Sequence, residues 1–184
     1  ENNGVLKREQ VSEYLKTLGQ NERKILRELG VKFGRYHVFL YQLIKPEAVS
    51  LRTLLWKNFH QKYFNLKPPT FGLNFLDDKD PKSKNFMLLC GFEKFDTFFV
   101  RIDILERLFM LIINSSNSKE NKEIKMTPEM LNLLGCSKEN FKKLLRKMGY
   151  KVFDKEADTY FKYNPSKKIK KISKQKILNE NPFK

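Results

Sequence analysis

The stretch from Gly30 to Trp56, GVKFGRYHVFLYQLIKPEAVSLRTLLW, most constrains how this chain can fold. A turn beginning at Gly34 leads into an apolar run, Val38–Ile44, which fits either a buried strand or a short core helix. Pro46 suits the first turn of a following helix, in which leucines recur at helical spacing. The pattern predicts a packed corner with one polar contact group, Arg35, Tyr36 and His37.

Apolar residues at helical spacing also dominate the residues before this stretch. They predict one helix ending near Gly19 and a second helix ending at Gly30. Turn-forming Pro, Gly and Asp residues then crowd the segment from 65 to 84 and predict a connector. We therefore predict a helical subdomain at residues 1–64 and a connector at residues 65–84.

The second half of the chain has a clear order of predicted elements: helix, strand, helix, helix, strand, turn, strand. Asp103, Thr127 and Ser137 are candidate helix N-caps, and Gly135 and Gly149 are candidate stops. This order is typical of a winged helix-turn-helix. We predict a winged-helix-like module at residues 85–163 and a flexible basic tail at residues 164–184. The predicted fold class is α+β and predominantly helical.

Charge is the strongest compositional feature. The chain has 37 Lys and Arg against 21 Asp and Glu, a net charge of +16, which favours RNA or DNA as the partner. Two widely separated cysteines fit a reducing cytoplasm better than a disulfide framework. No apolar run approaches the roughly 20 residues of a membrane span, and no signal peptide is predicted at Glu1. The sequence predicts a cytoplasmic monomer without membrane contact.

The helix predicted from Lys138 to Met148 has one apolar side and one basic side. Exposed cations neutralise phosphates without reading base sequence. Side chains that read bases, such as Asn and Gln, are nearly absent from the basic side, which favours backbone binding. The predicted nucleic-acid-binding residues are Lys138, Lys142, Lys143, Arg146, Lys147, Lys151, Lys155, Lys162, Arg35, Tyr36, His37, Lys167, Lys168, Lys170 and Lys171.

Known catalytic motifs are absent from the sequence. There is no GxxxxGK[ST] phosphate loop and no DExH or DExD pairing for magnesium. The two histidines, His37 and His60, have no cysteine or carboxylate at metal-ligand spacing, and a single histidine in an aromatic run is ordinarily structural. We predict a chain that is not an enzyme and holds no metal or cofactor.

Three blocks carry a family resemblance. LGVKFGRYHVFLYQLIKPEAVSLRTLLW, VRIDILERL and MTPEMLNLLGCSKENFKKLLRKMGY occur in this order between Leu29 and Tyr150. In order and spacing they resemble the C-terminal region of alphaproteobacterial DExH-box RNA helicases, relatives of the mitochondrial degradosome helicase. Tyr41 departs from the proline usual in that family. The positions that fit its pattern are Gly34, Arg35, Lys45, Pro46, Arg101, Asp103 and Gly135.

The resemblance implies an accessory region of an ATP-driven helicase, with ATP and magnesium held by a motor outside these residues. Our first hypothesis is a non-catalytic domain that binds RNA or DNA beside the motor lobes of the same polypeptide. The second is a protein-interaction domain that docks onto the motor or a nuclease through the region Val38–Ile44. The third is a free-standing winged-helix DNA-binding regulator. Salt-sensitive binding of nucleic acid favours the first over the second.

Overall fold

The structure is a computed structural model that describes residues 4–78, 84–117, 123–155 and 158–164. These residues are about 50 % helical and 24 % strand, with seven α-helices and three small antiparallel sheets. The prediction of a predominantly helical fold ending in a winged-helix-like module is therefore wrong. The first seven strands are only two to four residues long, too short for the alternation of side chains that reveals a strand in sequence.

The first sheet has the strand order β1-β3-β2. The strands are β1 Val5–Lys7, β2 Val31–Phe33 and β3 His37–Leu40. Along the chain, two helices separate β1 from β2: α1 Ser12–Thr17 and α2 Gln20–Glu28. The Gly34 N–H donates to the His37 carbonyl at 2.8 Å, which closes the turn between β2 and β3. The region predicted as a helical subdomain thus carries its own sheet.

The apolar run after this turn takes both of the conformations that the sequence allowed. Its first residues form β3, and its last residues form a 3₁₀ helix, Tyr41–Ile44. Helix α3, Pro46–Phe59, follows with Pro46 at its start, as predicted. A second 3₁₀ turn, Gln61–Tyr63, follows α3.

The second sheet has the strand order β4-β6-β5. Its elements are β4 Phe75–Asp77, helix α4 Lys84–Leu89, β5 Phe92–Phe95 and β6 Phe98–Arg101. Strand β6 runs directly into α5, Ile102–Asn117. Val49 of α3 packs with Phe86, Met87 and Phe99 in a core cluster beneath this sheet.

The third sheet has the strand order β7-β9-β8. Its elements are β7 Ile124–Lys125, helices α6 Pro128–Leu134 and α7 Lys138–Lys147, then β8 Tyr150–Lys155 and β9 Asp158–Tyr163. The caps predicted at Thr127 and Ser137 are confirmed, because their side chains accept backbone N–H groups of α6 and α7. The cap predicted at Asp103 is wrong, because α5 begins at Ile102 and Asp103 lies within its first turn. Gly135 ends α6 in the left-handed conformation, with φ of 64°.

The largest core cluster joins the second and third sheets. Phe98 and Val100 of β6 pack with Leu105 of α5, Phe141 of α7 and Phe161 of β9, and all five are almost fully buried. Residues 85–163 therefore contribute to two sheets around one core, rather than to a separate winged helix. None of the helices in the described ranges combines the length and apolar character needed to cross a membrane.

Candidate nucleic-acid interface

Helix α7 has the two-sided character that its sequence predicts. Phe141, Leu144 and Leu145 are fully buried, and the opposite side faces solvent. The exposed cations on that side are Lys138, Lys143, Arg146 and Lys147. Three of them, Lys138, Lys143 and Arg146, form no ion pair among the described residues. They are therefore available to neutralise phosphate groups.

Other predicted cations are already paired within the chain. The Lys142 ammonium lies 2.9 Å from Asp154 Oδ1, and only 14 % of the Lys142 side chain is exposed. Lys147 pairs with Asp96 at 2.7 Å, and Lys155 pairs with Glu123 at 2.6 Å. Lys142 thus serves mainly to tie α7 to β8, whereas Lys147 and Lys155 stay about half exposed.

The outward face of the third sheet forms a second basic surface. Tyr150, Thr159 and Phe161 are buried and point inward, so the alternate residues of β8 and β9 point outward. Lys151 stands directly opposite Lys162, and Phe153 stands opposite Tyr160. Lys125 of β7 pairs with Tyr160 and lies on the same face. We call this group the lysine face: Lys125, Lys151, Phe153, Lys155, Tyr160 and Lys162.

Aromatic rings lie among these lysines. The rings of Phe153 and Tyr160 stack with their centroids 6.3 Å apart, and the Lys155 ammonium lies 5.2 Å and 5.7 Å from the two centroids. Lys125 binds Asp158, whereas Lys151 and Lys162 form no ion pair in the described part of the chain. A half-buried aromatic pair on the same face as the unpaired ammonium groups of Lys151 and Lys162 can contact a base while these groups bind its phosphates.

The turn that contains Arg35, Tyr36 and His37 is held by one carboxylate. Glu106 of α5 accepts the backbone N–H groups of these three residues at 2.5, 2.9 and 3.0 Å. Burial would raise the pKa of Glu106, but the nearby His37 ring and the hydrogen bonds from the three N–H groups lower it. Glu106 therefore stays ionised and fixes the turn.

His37 lies inside the protein between two carboxylates. Its Nε2 is 3.2 Å from Glu93 Oε2, its Nδ1 is 3.7 Å from Glu106 Oε1, and only 3 % of the side chain is exposed. Burial would lower the pKa of His37, but the carboxylates of Glu106 and Glu93 outweigh burial and raise the pKa. Lys7 completes the cluster by pairing with Glu93 at 2.7 Å.

This buried cluster defines what His37 can do. With both ring nitrogens facing carboxylates, the imidazole is placed to support the turn and not to contact a macromolecule in this conformation. Burial would raise the pKa of Glu93, but hydrogen bonds from His37 and Lys7 lower it. When His37 is protonated, the cluster holds two cations beside two anions. Neither glutamate was predicted as a functional residue, because both are distant from His37 in sequence.

Arg35 and Tyr36 occupy different environments. Arg35 is exposed, and its guanidinium carbon lies 5.8 Å from the centroid of the Phe109 ring. Tyr36 is half-buried against the edge of the same ring, with centroids 5.7 Å apart. Burial and the neighbouring Tyr150 raise the pKa of Tyr36. Arg35 is thus the member of the predicted group that is presented to a ligand.

The structure brings two separately predicted groups to one place. A cleft of about 640 Å³ is lined by Arg35, Tyr36 and His37 on one side and by Lys147 and Tyr163 on the other.

The predicted residues Lys167, Lys168, Lys170 and Lys171 lie outside the described residues. Lys125 and Phe153 were not predicted, although the alternation of β8 places Phe153 beside Lys151 and Lys155 on one face.

The described residues contain no group of three or more His, Cys, Asp or Glu side chains arranged to hold a metal ion.

The chain matches no protein-family model, no curated protein sequence and no solved structure. The arrangement of charges and rings is therefore the evidence for function. Chemically, it can bind a polyanion that also offers flat apolar groups.

Proposed function

We propose that this chain binds the backbone of RNA or DNA through α7 and the lysine face. The observation that supports this most is the position of Lys151 directly across from Lys162. Like charges directly opposite each other in a sheet destabilise the fold. Two acids near this face, Glu123 and Asp158, are already paired with Lys155 and Lys125. A phosphate group between the two ammonium groups would offset this repulsion.

Backbone binding fits the surface better than sequence-specific binding. Most of the exposed side chains on α7 and the lysine face are cations and aromatic rings, which contact phosphates and any base alike, although Glu139 is also exposed on α7. Asn140, the one amide side chain of α7, lies 3.4 Å from Asp77 Oδ1 and is engaged there. We therefore expect binding that depends strongly on salt and weakly on base sequence.

The family resemblance supplies the context of this proposal. We infer an accessory, non-catalytic region of an ATP-dependent DExH-box helicase in the cytoplasm, with the motor lobes of the same polypeptide as its neighbours. In this role the basic surface would hold the strand that the motor moves, and ATP and magnesium would be bound only by the motor. The buried position of His37 supports the non-catalytic part of the proposal, since its Nε2 is bound to Glu93 and its Nδ1 faces Glu106 inside the protein.

Fluorescence anisotropy with labelled oligonucleotides of about 12 nucleotides tests the proposal. The full chain is compared with a variant in which Lys143, Arg146, Lys151 and Lys162 are changed to Glu. We expect affinity to fall at least about 100-fold, because four phosphate contacts are lost. A control variant has the same change in net charge in other elements, at Lys16, Lys24, Lys67 and Lys84. If both variants lose affinity equally, binding follows net charge alone and the proposed surface is wrong.

A second candidate function, protein docking, is favoured by one specific observation on α3. Leu51, Leu55 and Phe59 lie at i, i+4 and i+8 on this helix and are 58 %, 59 % and 84 % exposed. An apolar stripe of this kind is unusual on a monomer and often marks an interface. The docking region predicted at Val38–Ile44 is different, because Val38 and Phe39 are buried.

The occupant that we assign to this stripe is an apolar surface of the helicase motor implied by the resemblance. The test is a pull-down of separately produced motor lobes by this chain, with Leu51, Leu55 and Phe59 changed to Ser. Salt-resistant association that these changes abolish, and that an Asn58→Ser control on the same helix retains, supports docking. Association of the chain only with itself, or loss in high salt, contradicts it.

A further inference from the structure

A larger cleft lies on the other side of the Arg35 turn. Its volume is about 1190 Å³, and it runs between the β2–β3 hairpin and helices α5 and α6. Among its lining residues are four cations that no ion pair in the described ranges occupies. We call it the arginine cleft and define it by these cations and two rings: Arg8, Lys32, Arg35, Arg107, Phe33 and Phe109.

The acids that line the arginine cleft are mostly engaged elsewhere. Asp103 forms two hydrogen bonds with Arg101, both of 2.7 Å. Glu106 is occupied by the three backbone N–H groups of the turn. Glu129 is the one remaining acid among the described lining residues. The cleft therefore presents an excess of positive charge, although Arg101 is neutralised.

Each ring of the cleft lies beside a guanidinium group. Arg35 lies over Phe109, and Arg27, adjacent to the cleft, lies 5.7 Å from the centroid of the Phe33 ring. Bases that leave a stack are commonly bound against aromatic rings or guanidinium planes. A cleft of this size, lined by cations and aromatic rings, can hold an unpaired nucleotide whose base is free to stack on a ring. A base inside a duplex is already stacked between its neighbours.

The backbone that carries Arg35 is held in place before any ligand binds. The Glu106 carboxylate fixes the backbone of the turn, and Arg8 Nη1 donates to the Gly34 carbonyl at 2.6 Å. A fixed backbone lowers the conformational entropy that is lost when a ligand binds. The Arg35 side chain is therefore presented from a rigid turn.

The arginine cleft is continuous with the proposed nucleic-acid surface. Arg8 and Arg35 also line the smaller cleft, whose far side is formed by Lys147 of α7 and Tyr163 of β9. A strand bound to α7 can thus pass over Arg35 and enter the arginine cleft. We propose that the arginine cleft binds an unpaired segment of single-stranded nucleic acid, with phosphates on Lys32, Arg35 and Arg107 and a base against Phe109.

This inference rests on the proposed function but is tested separately from it. The probes are a single-stranded RNA, a single-stranded DNA of the same sequence, and a blunt duplex, each with the full chain. In the cleft variant, Lys32 and Arg107 are changed to Glu. We expect it to bind both single strands about ten-fold more weakly than the wild type and the duplex within about two-fold. The control is Lys16→Glu with Lys24→Glu, which should bind all probes as the wild type does.

Equal losses for duplex and single strands, or no loss for single strands, overturn the cleft assignment. Failure of the wild type to bind any probe overturns the proposed function as well. Loss of binding in the α7 and lysine-face variant, with normal binding in the cleft variant, overturns the cleft alone.

Photo-crosslinking gives a readout that does not depend on variants. Single-stranded RNA containing 4-thiouridine is irradiated with the wild-type chain, and the crosslinked peptides are identified by mass spectrometry. We expect crosslinks within residues 32–36 or 107–110, because an entering base lies against these segments. Crosslinks confined to α7 and the lysine face contradict the proposal.

Discussion

Gly34 lies so close to Glu106 that a β-carbon at position 34 would come within 2.2 Å of the Glu106 carboxylate carbon. Glycine is therefore required here by space. The close approach lets the Glu106 carboxylate accept three consecutive backbone N–H groups, those of Arg35, Tyr36 and His37. The identity of residue 34 thus controls the position of Arg35, which lines both clefts.

We expect Gly34→Ala to lower the free energy of unfolding by about 2–4 kcal/mol, because the displaced carboxylate leaves the N–H groups of Arg35, Tyr36 and His37 without their acceptor. Urea unfolding followed by circular dichroism measures this. Gly19→Ala is the matched control, since a β-carbon there would lie 3.5 Å from its nearest neighbour, the Glu22 side chain. It should cost less than about 1 kcal/mol. Equal costs at the two positions would show that the Glu106 contact is unimportant.

Several features that are set by neighbouring residues along the chain were predicted correctly, whereas contacts between distant residues were not. The starts of α6 and α7 are set by Thr127 and Ser137 and the end of α6 by Gly135, which act within one helical turn, and all three were predicted correctly. The partners of His37 are 56 and 69 residues away along the chain, and no local pattern points to them.

The short strands and the exposed side of α3 were missed for different physical reasons. Strands β1 and β2 have three residues each, and so few residues show no periodicity. Helical spacing identified α3 correctly, but spacing does not say which side is covered. The protein buries Val49 and Thr53 and leaves Leu51 and Leu55 exposed. The lysine face depends on the register of β8 and β9, which pairs Lys151 with Lys162.

The buried cluster predicts a stability maximum in mildly acidic solution. The raised pKa of His37 contributes stability that is complete below pH 6.5 and is lost as the pH rises through the folded value. The lowered pKa values of Glu93 and Glu106 contribute stability that is complete above pH 4.5 and is lost as the pH falls. Urea midpoints should therefore be highest between pH 4.5 and 6.5 and fall on both sides.

His37→Gln separates the two sides of this profile. The substitution removes the group whose protonation stabilises the fold, so we expect the decline above pH 6.5 to flatten. The decline at acidic pH should remain, because it is shared by other carboxylates with lowered pKa values, including Asp154. An unchanged decline above pH 6.5 in His37→Gln would mean that the imidazole is not charged inside the protein.

The ion pairs of α7 predict that its cations contribute unequally to binding. Lys143→Ala and Arg146→Ala should each reduce the slope of log affinity against log salt by about 0.7 for a single strand, which corresponds to one lost phosphate contact. Lys142→Ala should leave the slope nearly unchanged, because Asp154 already holds this ammonium group. Anisotropy titrations between about 50 and 200 mM salt measure the slopes. Equal reductions for Lys142 and Lys143 would contradict the assignment.

Lys162→Glu should make the protein more stable and a weaker binder of nucleic acid. The new carboxylate would face Lys151 across β8 and β9, so a repulsive pair becomes an attractive one and stability should rise by about 0.5 kcal/mol. Nucleic-acid affinity should fall several-fold, because one phosphate contact is replaced by a negative charge. Urea unfolding and anisotropy on the same preparation measure both quantities.

Lys162→Gln, which removes the repulsion without adding a pair, should give an intermediate stability. If Lys162→Glu destabilised the fold or left affinity unchanged, the proposal that Lys151 and Lys162 together bind a polyanion would be contradicted.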